Sequence, residues 1–161
     1  YRIGRKDGRI ERSSDRFHTC SEAGFNEAMT IYDVLCYSKN DCHLSGRFIT
    51  LSGLRFNSAF GSADSFFRDF AVFFDRKIPA LDAACLRLGG KKEQVGDSAW
   101  QLPLFDFLPV VLQFWESDED FPASLKLLWD ENILDYMHFE TIFYAANHLL
   151  GQIKGNMLKA L

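Results

Sequence analysis

Pro109-Val110-Val111-Leu112-Gln113-Phe114-Trp115, followed after an acidic bend by Leu125-Lys126-Leu127-Leu128-Trp129, is the stretch on which the fold turns. Its first half is almost continuously apolar, the pattern expected of a strand covered on both faces. Its second half alternates, placing Leu125, Leu127 and Trp129 on one side. Joined through residues 116–120, the two predict a long antiparallel hairpin over residues 107–130, with the first strand central in a sheet.

Working outward, Ser98 to Leu104 puts Trp100, Leu102 and Leu104 on one side, the alternation of a strand. Leu44-Ser45-Gly46 reads as a turn, and Arg47-Phe48-Ile49-Thr50-Leu51 as a short strand rich in β-formers. Tyr1 to Arg12 predicts a separate hairpin turning at Lys6-Asp7-Gly8, with its basic side chains in solvent. Residues 13–22 are polar and read as a loop.

Helical spacing appears at Phe25, Met29, Tyr32 and Leu35, up to about Ser38. Seven of the 16 phenylalanines lie between Phe56 and Phe74. Of these, Phe66, Phe67, Phe70, Phe73 and Phe74 share one face of a helix, a wall of rings expected to be core. Ile78, Leu81, Cys85 and Leu88 form a third helical stripe, with Pro79 in the first turn and Gly89 beyond the last. Phe139, Ile142, Phe143, Ala146, Leu149, Leu150 and Ile153 form a fourth, expected to weaken at Gly151 and Gly155; His148 falls opposite the stripe and is expected in solvent. Segregated strands and helices predict an α+β fold, a mostly antiparallel sheet with three to four helices packed on it. The 161 residues are read as one domain. The chain opens at Tyr1, partway into a strand, so an upstream segment is expected before it.

No apolar run reaches the ~20 residues of a membrane-spanning helix. Cys20, Cys36, Cys42 and Cys85 form no CxxC pair, which points to a reducing, cytoplasmic compartment. The net charge of −4 is uneven: residues 1–20 carry +3 and the remainder −7. That basic excess is too small and local for a nucleic-acid face, so nucleic acid is disfavoured as a partner.

The run Leu108-Pro109-Val110-Val111-Leu112-Gln113-Phe114-Trp115-Glu116-Ser117-Asp118-Glu119-Asp120-Phe121-Pro122-Ala123-Ser124, with Leu127-Leu128-Trp129-Asp130, resembles a bacterial and archaeal family, domain of unknown function 3786. Leu44-Ser45-Gly46 and the Gly89-Gly90 pair also look like positions of that family. The resemblance covers nearly the whole chain and brings no activity with it. Some members look joined to iron–sulfur modules in anaerobes, which implies an accessory role near corrinoid or one-carbon chemistry.

Two acidic clusters are candidate sites. Glu116, Asp118, Glu119 and Asp120, flanked by Trp115, Phe121 and Pro122, could meet a partner or ligand, or hold a hard cation through oxygen; as a plain hairpin end they would simply spread charge into water. The second cluster is Asp130, His138 and Glu140, with Glu131 and Asp135 nearby. Its ordinary reading is acidic residues complementing the start of the last helix. With Trp115 facing Ser124, Asp130 lies on the order of 20 Å along the strand from the bend, at ~3.3 Å per residue, so the clusters are separate.

His18, Cys20, Cys42 and His43 are zinc-type residues without finger or ribbon spacing. No nucleotide-binding glycine motif and no nucleophile elbow is present. The motifs leave cofactors open. The favoured expectation is a non-catalytic ligand- or partner-binding accessory domain using the acidic bend. The alternative is a divalent-metal enzyme using the Asp118/Glu119 or Asp130/His138/Glu140 carboxylates. A homo-oligomer is a further expectation, the basic hairpin of one copy meeting the acidic bend of another.

Overall fold

A computed structural model describes residues 1–54 and 66–159. Phe56 and Phe60, the first two rings of the phenylalanine-rich stretch, lie outside the described residues.

The hairpin forms as its pattern requires. Strand β7 (Leu108–Trp115) pairs antiparallel with β8 (Ser124–Asp130), with Trp115 opposite Ser124. β6 (Ser98–Phe105) flanks β7, and the edges are β4 (Phe48–Thr50) and β5 (Lys91–Glu93), giving the order β4-β8-β7-β6-β5. β7 is therefore the middle strand. Only one of its faces is fully closed: Val110, Leu112 and Phe114 are buried, whereas Pro109, Gln113 and Trp115 are half-buried and Val111 alone is shut off on the outer side. The expectation of a strand covered on both faces is corrected to that extent. β5 was not anticipated, because its three residues are all exposed and two are lysines, a composition that discourages pairing at a sheet edge.

The inner face packs on helices α2 (Arg68–Phe74) and α3 (Ile78–Arg87), and α4 (Phe139–Leu158) closes the same core against α3, α2 and α1 (Phe25–Tyr37). Phe67 and Phe74 of the phenylalanine wall are buried, and Phe74 meets Phe114 edge-on with ring centroids 6.2 Å apart. Phe66 stands outside the wall at 57% exposure, beside Phe143. Cys85 is core, and burial pushes its thiol up to about 12, so it stays protonated and unreactive. Gly90 lets the end of α3 close onto β6: a Cβ there would sit 2.8 Å from the Cys85 carbonyl and 2.9 Å from Leu102.

α4 continues through Gly151 and Gly155 to Leu158. Each glycine costs a helix about 1 kcal/mol. Leu149, Leu150, Ile153 and Met157, all buried, outweigh that cost.

At the N-terminus β1 (Arg2–Ile3) and β2 (Ile10–Arg12) make the expected hairpin, and β3 (Ser21–Glu22) adds a third strand where a loop was expected. Two exposed residues carry no alternation, so the sequence gives no sign of it. The basic side chains are partly neutralised at home. Arg2 pairs with Glu11, Arg9 with Glu22 and Arg12 with Glu27. Among the described residues no helix is long and apolar enough to cross a membrane.

Candidate functional site

The bend between β7 and β8 is built from carboxylates that accept backbone N–H groups. Asp97 accepts the Glu116 N–H at 2.7 Å, and Asp75 accepts both the N–H and the hydroxyl of Ser117, at 3.0 and 2.7 Å. These two bonds hold the Asp75 carboxyl below its ordinary range. Arg76 donates to the Ser117 carbonyl at 2.6 Å. Asp118 accepts from the N–H groups of Asp120 and Phe121 at 2.9 and 2.7 Å, while its own N–H reaches the Phe121 carbonyl at 3.0 Å. The bend is thus tied at four points to itself and to its neighbours.

What it presents outward is Asp118, Glu119, Asp120, Phe121 and Pro122, all exposed, with Phe121 at 70%. Glu116 and Trp115 are half-buried, and Lys126 lies 5.2 Å over the Trp115 ring. The seven residues stand together, but on a protrusion. The concavities described below are lined by other residues.

The second cluster does not converge. Asp130 is fully buried, and its carboxylate accepts the N–H groups of Ser45 at 3.0 Å, Gly46 at 2.8 Å and Asn132 at 2.9 Å. Gly46 has φ +77°, a left-handed conformation that glycine enters without strain. His138 turns instead to Asp33, with its N–H and its Nδ1 each 2.7 Å from that carboxylate, and its ring lies 3.7 Å from Tyr37. Burial raises the Asp33 carboxyl, but hydrogen bonds from Thr141 and His138 outweigh it and hold the group low. Glu140 is exposed in the first turn of α4 and Asp135 pairs with Lys39. Among the described residues no three His, Cys, Asp or Glu side chains gather as metal ligands, which covers His18, Cys20, Cys42 and His43 as well.

A cluster that the sequence reading missed lies where β2, α1 and α4 meet. Glu27 is buried and accepts the Gly24 N–H at 3.0 Å, the Tyr1 hydroxyl, and Arg12 at 3.5 Å. His148 approaches it at 3.9 Å with a side chain only 20% exposed, which corrects the expectation that it faces solvent. Burial lowers the His148 pKa; Glu27 opposes this and Arg12 reinforces it, and burial wins. The ring is therefore neutral near pH 7 and can accept the Gln152 amide N–H, 2.9 Å away at Nε2. Burial, then Glu27, push the Tyr1 hydroxyl well above its ordinary value, so it remains a donor.

Two hollows meet over this cluster. One of about 460 Å³ is lined by Tyr1, Arg12, Thr19 and Gln152 among others. A longer groove of about 790 Å³ runs along α4 past Asn147, Gly151 and Asn156, and shares Arg12, Ser14, Glu27 and Gln152 with the first.

The family model described as Domain of unknown function (DUF3786) matches residues 1–152. The chain belongs to this family. No curated protein and no solved structure matches it.

The segments that carried the resemblance to the DUF3786 family are joined in the fold: Leu44-Ser45-Gly46 is fastened to the Asp130 at the end of the hairpin, and Gly89-Gly90 lets α3 close on β6. Glu27 and His148 of this DUF3786 chain carried one overlooked signal. Gly24 and Glu27 have the spacing of a helix start whose third residue reaches back to the cap, which places that carboxylate against backbone rather than in water.

Proposed function

We propose that this chain is a non-catalytic accessory domain that binds a protein partner through the bend between β7 and β8. The observation that carries the reading is Phe121, a large apolar ring 70% exposed on a backbone already fastened by Asp75, Asp97 and Asp118. A fastened bend loses little conformational freedom on docking, and aromatic side chains are enriched at protein interfaces. The exposed carboxylates of Asp118, Glu119 and Asp120 around it select a basic partner surface and speed its approach.

The carboxylates support binding over catalysis. Asp130, the best-placed candidate for the metal-enzyme alternative, is occupied by three backbone N–H groups, and His138 by Asp33. A place beside iron–sulfur or corrinoid proteins in the cytoplasm is compatible with this reading and belongs to the same proposal.

A photoreactive amino acid at position 121, introduced into the chain in its native cells, tests the reading, with position 86, the exposed Leu86 of α3, as the control. One discrete protein adduct at 121 and none at 86, weakening as salt screens the acidic residues, is the expected outcome. No adduct at 121, or equal labelling at both positions, contradicts it.

A further inference from the structure

We infer that the groove along α4 is a binding site for a neutral, polyhydroxylated ligand of the carbohydrate class. Its four charged side chains are two cations, Arg12 and Lys159, and two anions, Glu22 and Glu27, so the site as a whole selects no charge. Arg12 and Glu27 moreover pair with each other. What remains to do the recognising is a row of amides, with the Ser14 hydroxyl and the His148 ring beside them.

Asn147 and Asn156 each donate one side-chain N–H to a carbonyl of their own helix, Phe143 at 2.8 Å and Gln152 at 2.9 Å. Those bonds fix the amide groups and leave each a carbonyl oxygen and a second N–H. Asn26 lines the groove from α1. A hydroxyl is donor and acceptor at once, and an amide offers the matching pair, so a run of fixed amides suits a run of hydroxyls better than it suits a carboxylate or phosphate.

Space and shape agree. A Cβ added at Gly151 or Gly155 would meet nothing within 4 Å, so the helix leaves an open floor there. At the rim Phe25 is 67% exposed and braced edge-on by Tyr144, with ring centroids 5.5 Å apart, offering a flat apolar ring to the C–H face of a sugar. The groove volume of about 790 Å³ is within the range of small-molecule sites. This site is independent of the bend, and the two readings stand or fall separately.

The test is a titration of the intact chain, labelled with ¹⁵N and followed at the side-chain amides of Asn147, Gln152 and Asn156. The probes are maltotriose, cellotriose and N,N′,N″-triacetylchitotriose, with glucuronate and glucose 6-phosphate as charged counterparts. The expected result is a saturating shift of those amides with at least one neutral trisaccharide at millimolar concentration or below, and a weaker response to both charged probes. Gly151→Leu fills the floor while suiting the helix, so it should weaken binding at least tenfold with an unchanged or higher thermal midpoint. No saturable shift with any of the neutral sugars overturns the inference. Tighter binding of a charged probe overturns it too, as do shifts that follow protein concentration alone, which would assign the groove to a second copy of the chain.

Discussion

Aspartates in this chain act chiefly as struts. Asp130 is the clearest: one buried carboxylate orders the Ser45–Gly46 turn and the Asn132 turn at once. Hydrogen bonds to a charged acceptor contribute about 1.5–3 kcal/mol each, less where the donor can turn to water. Asp130→Ala is therefore expected to cost about 2–4 kcal/mol in urea unfolding. The tryptophans offer a contrast. Trp100 Nε1 donates to Asp82 at 2.8 Å and to Ser98 at 3.1 Å, whereas Trp129 Nε1 is buried with no partner among the described residues. Replacement by Phe removes the same volume from both, so Trp100→Phe should be the costlier change by about 1 kcal/mol, measured as the difference between the two unfolding free energies.

His148 has a pH signature of opposite sign to a stabilising ion pair. Its folded pKa is depressed, so below its unfolded value of about 6.5 the unfolded chain takes up the proton first and stability falls as pH falls. Unfolding midpoints of the native chain should drop as pH falls below about 6.5, and His148→Gln should flatten that slope. At lower pH the struts follow. Asp15 is held down to about 2, so its stabilisation is lost as pH falls from about 4 toward 2; Asp33, Asp75 and Asp82 are also lowered, and theirs is lost as pH falls below about 4.

At the scale of elements, α4 shows why helix ends are hard to read from a chain. Gly151 and Gly155 point to an early end, but burial of Ile153 and Met157 carries the helix on. Both glycines have open space at the Cβ position, so Gly151→Ala and Gly155→Ala should each raise stability by about 1 kcal/mol in thermal or urea unfolding. The β7–β8 hairpin was legible because alternation and the acidic bend lie within one local stretch. β3 and β5 were not, since two or three exposed residues carry no period. His148 was misplaced for a related reason. The helical stripe tells which side of α4 meets the core beside α3, but not that α1 closes over the other side, 121 residues earlier at Glu27.

Over the whole molecule, the fold class and the central hairpin followed from sequence, while the order of the strands around it and the division of labour among charged residues did not. Whether a carboxylate is offered to solvent or spent on backbone depends on which distant N–H groups the fold delivers, as Asp130 and Asp75 show with partners 84 and 42 residues away. The bend is where the two uses meet, with Asp75, Asp97 and Asp118 fastening backbone and Glu119 and Asp120 exposed beside Phe121. Amide hydrogen exchange of the purified chain tests this most directly, read at Glu116, Ser117, Asp120 and Phe121. Protection at all four approaching that of β7, with loss at Asp120 and Phe121 alone in Asp118→Ala, is the result expected; exchange at unstructured rates in the unmodified chain would contradict a bend held ready for a partner.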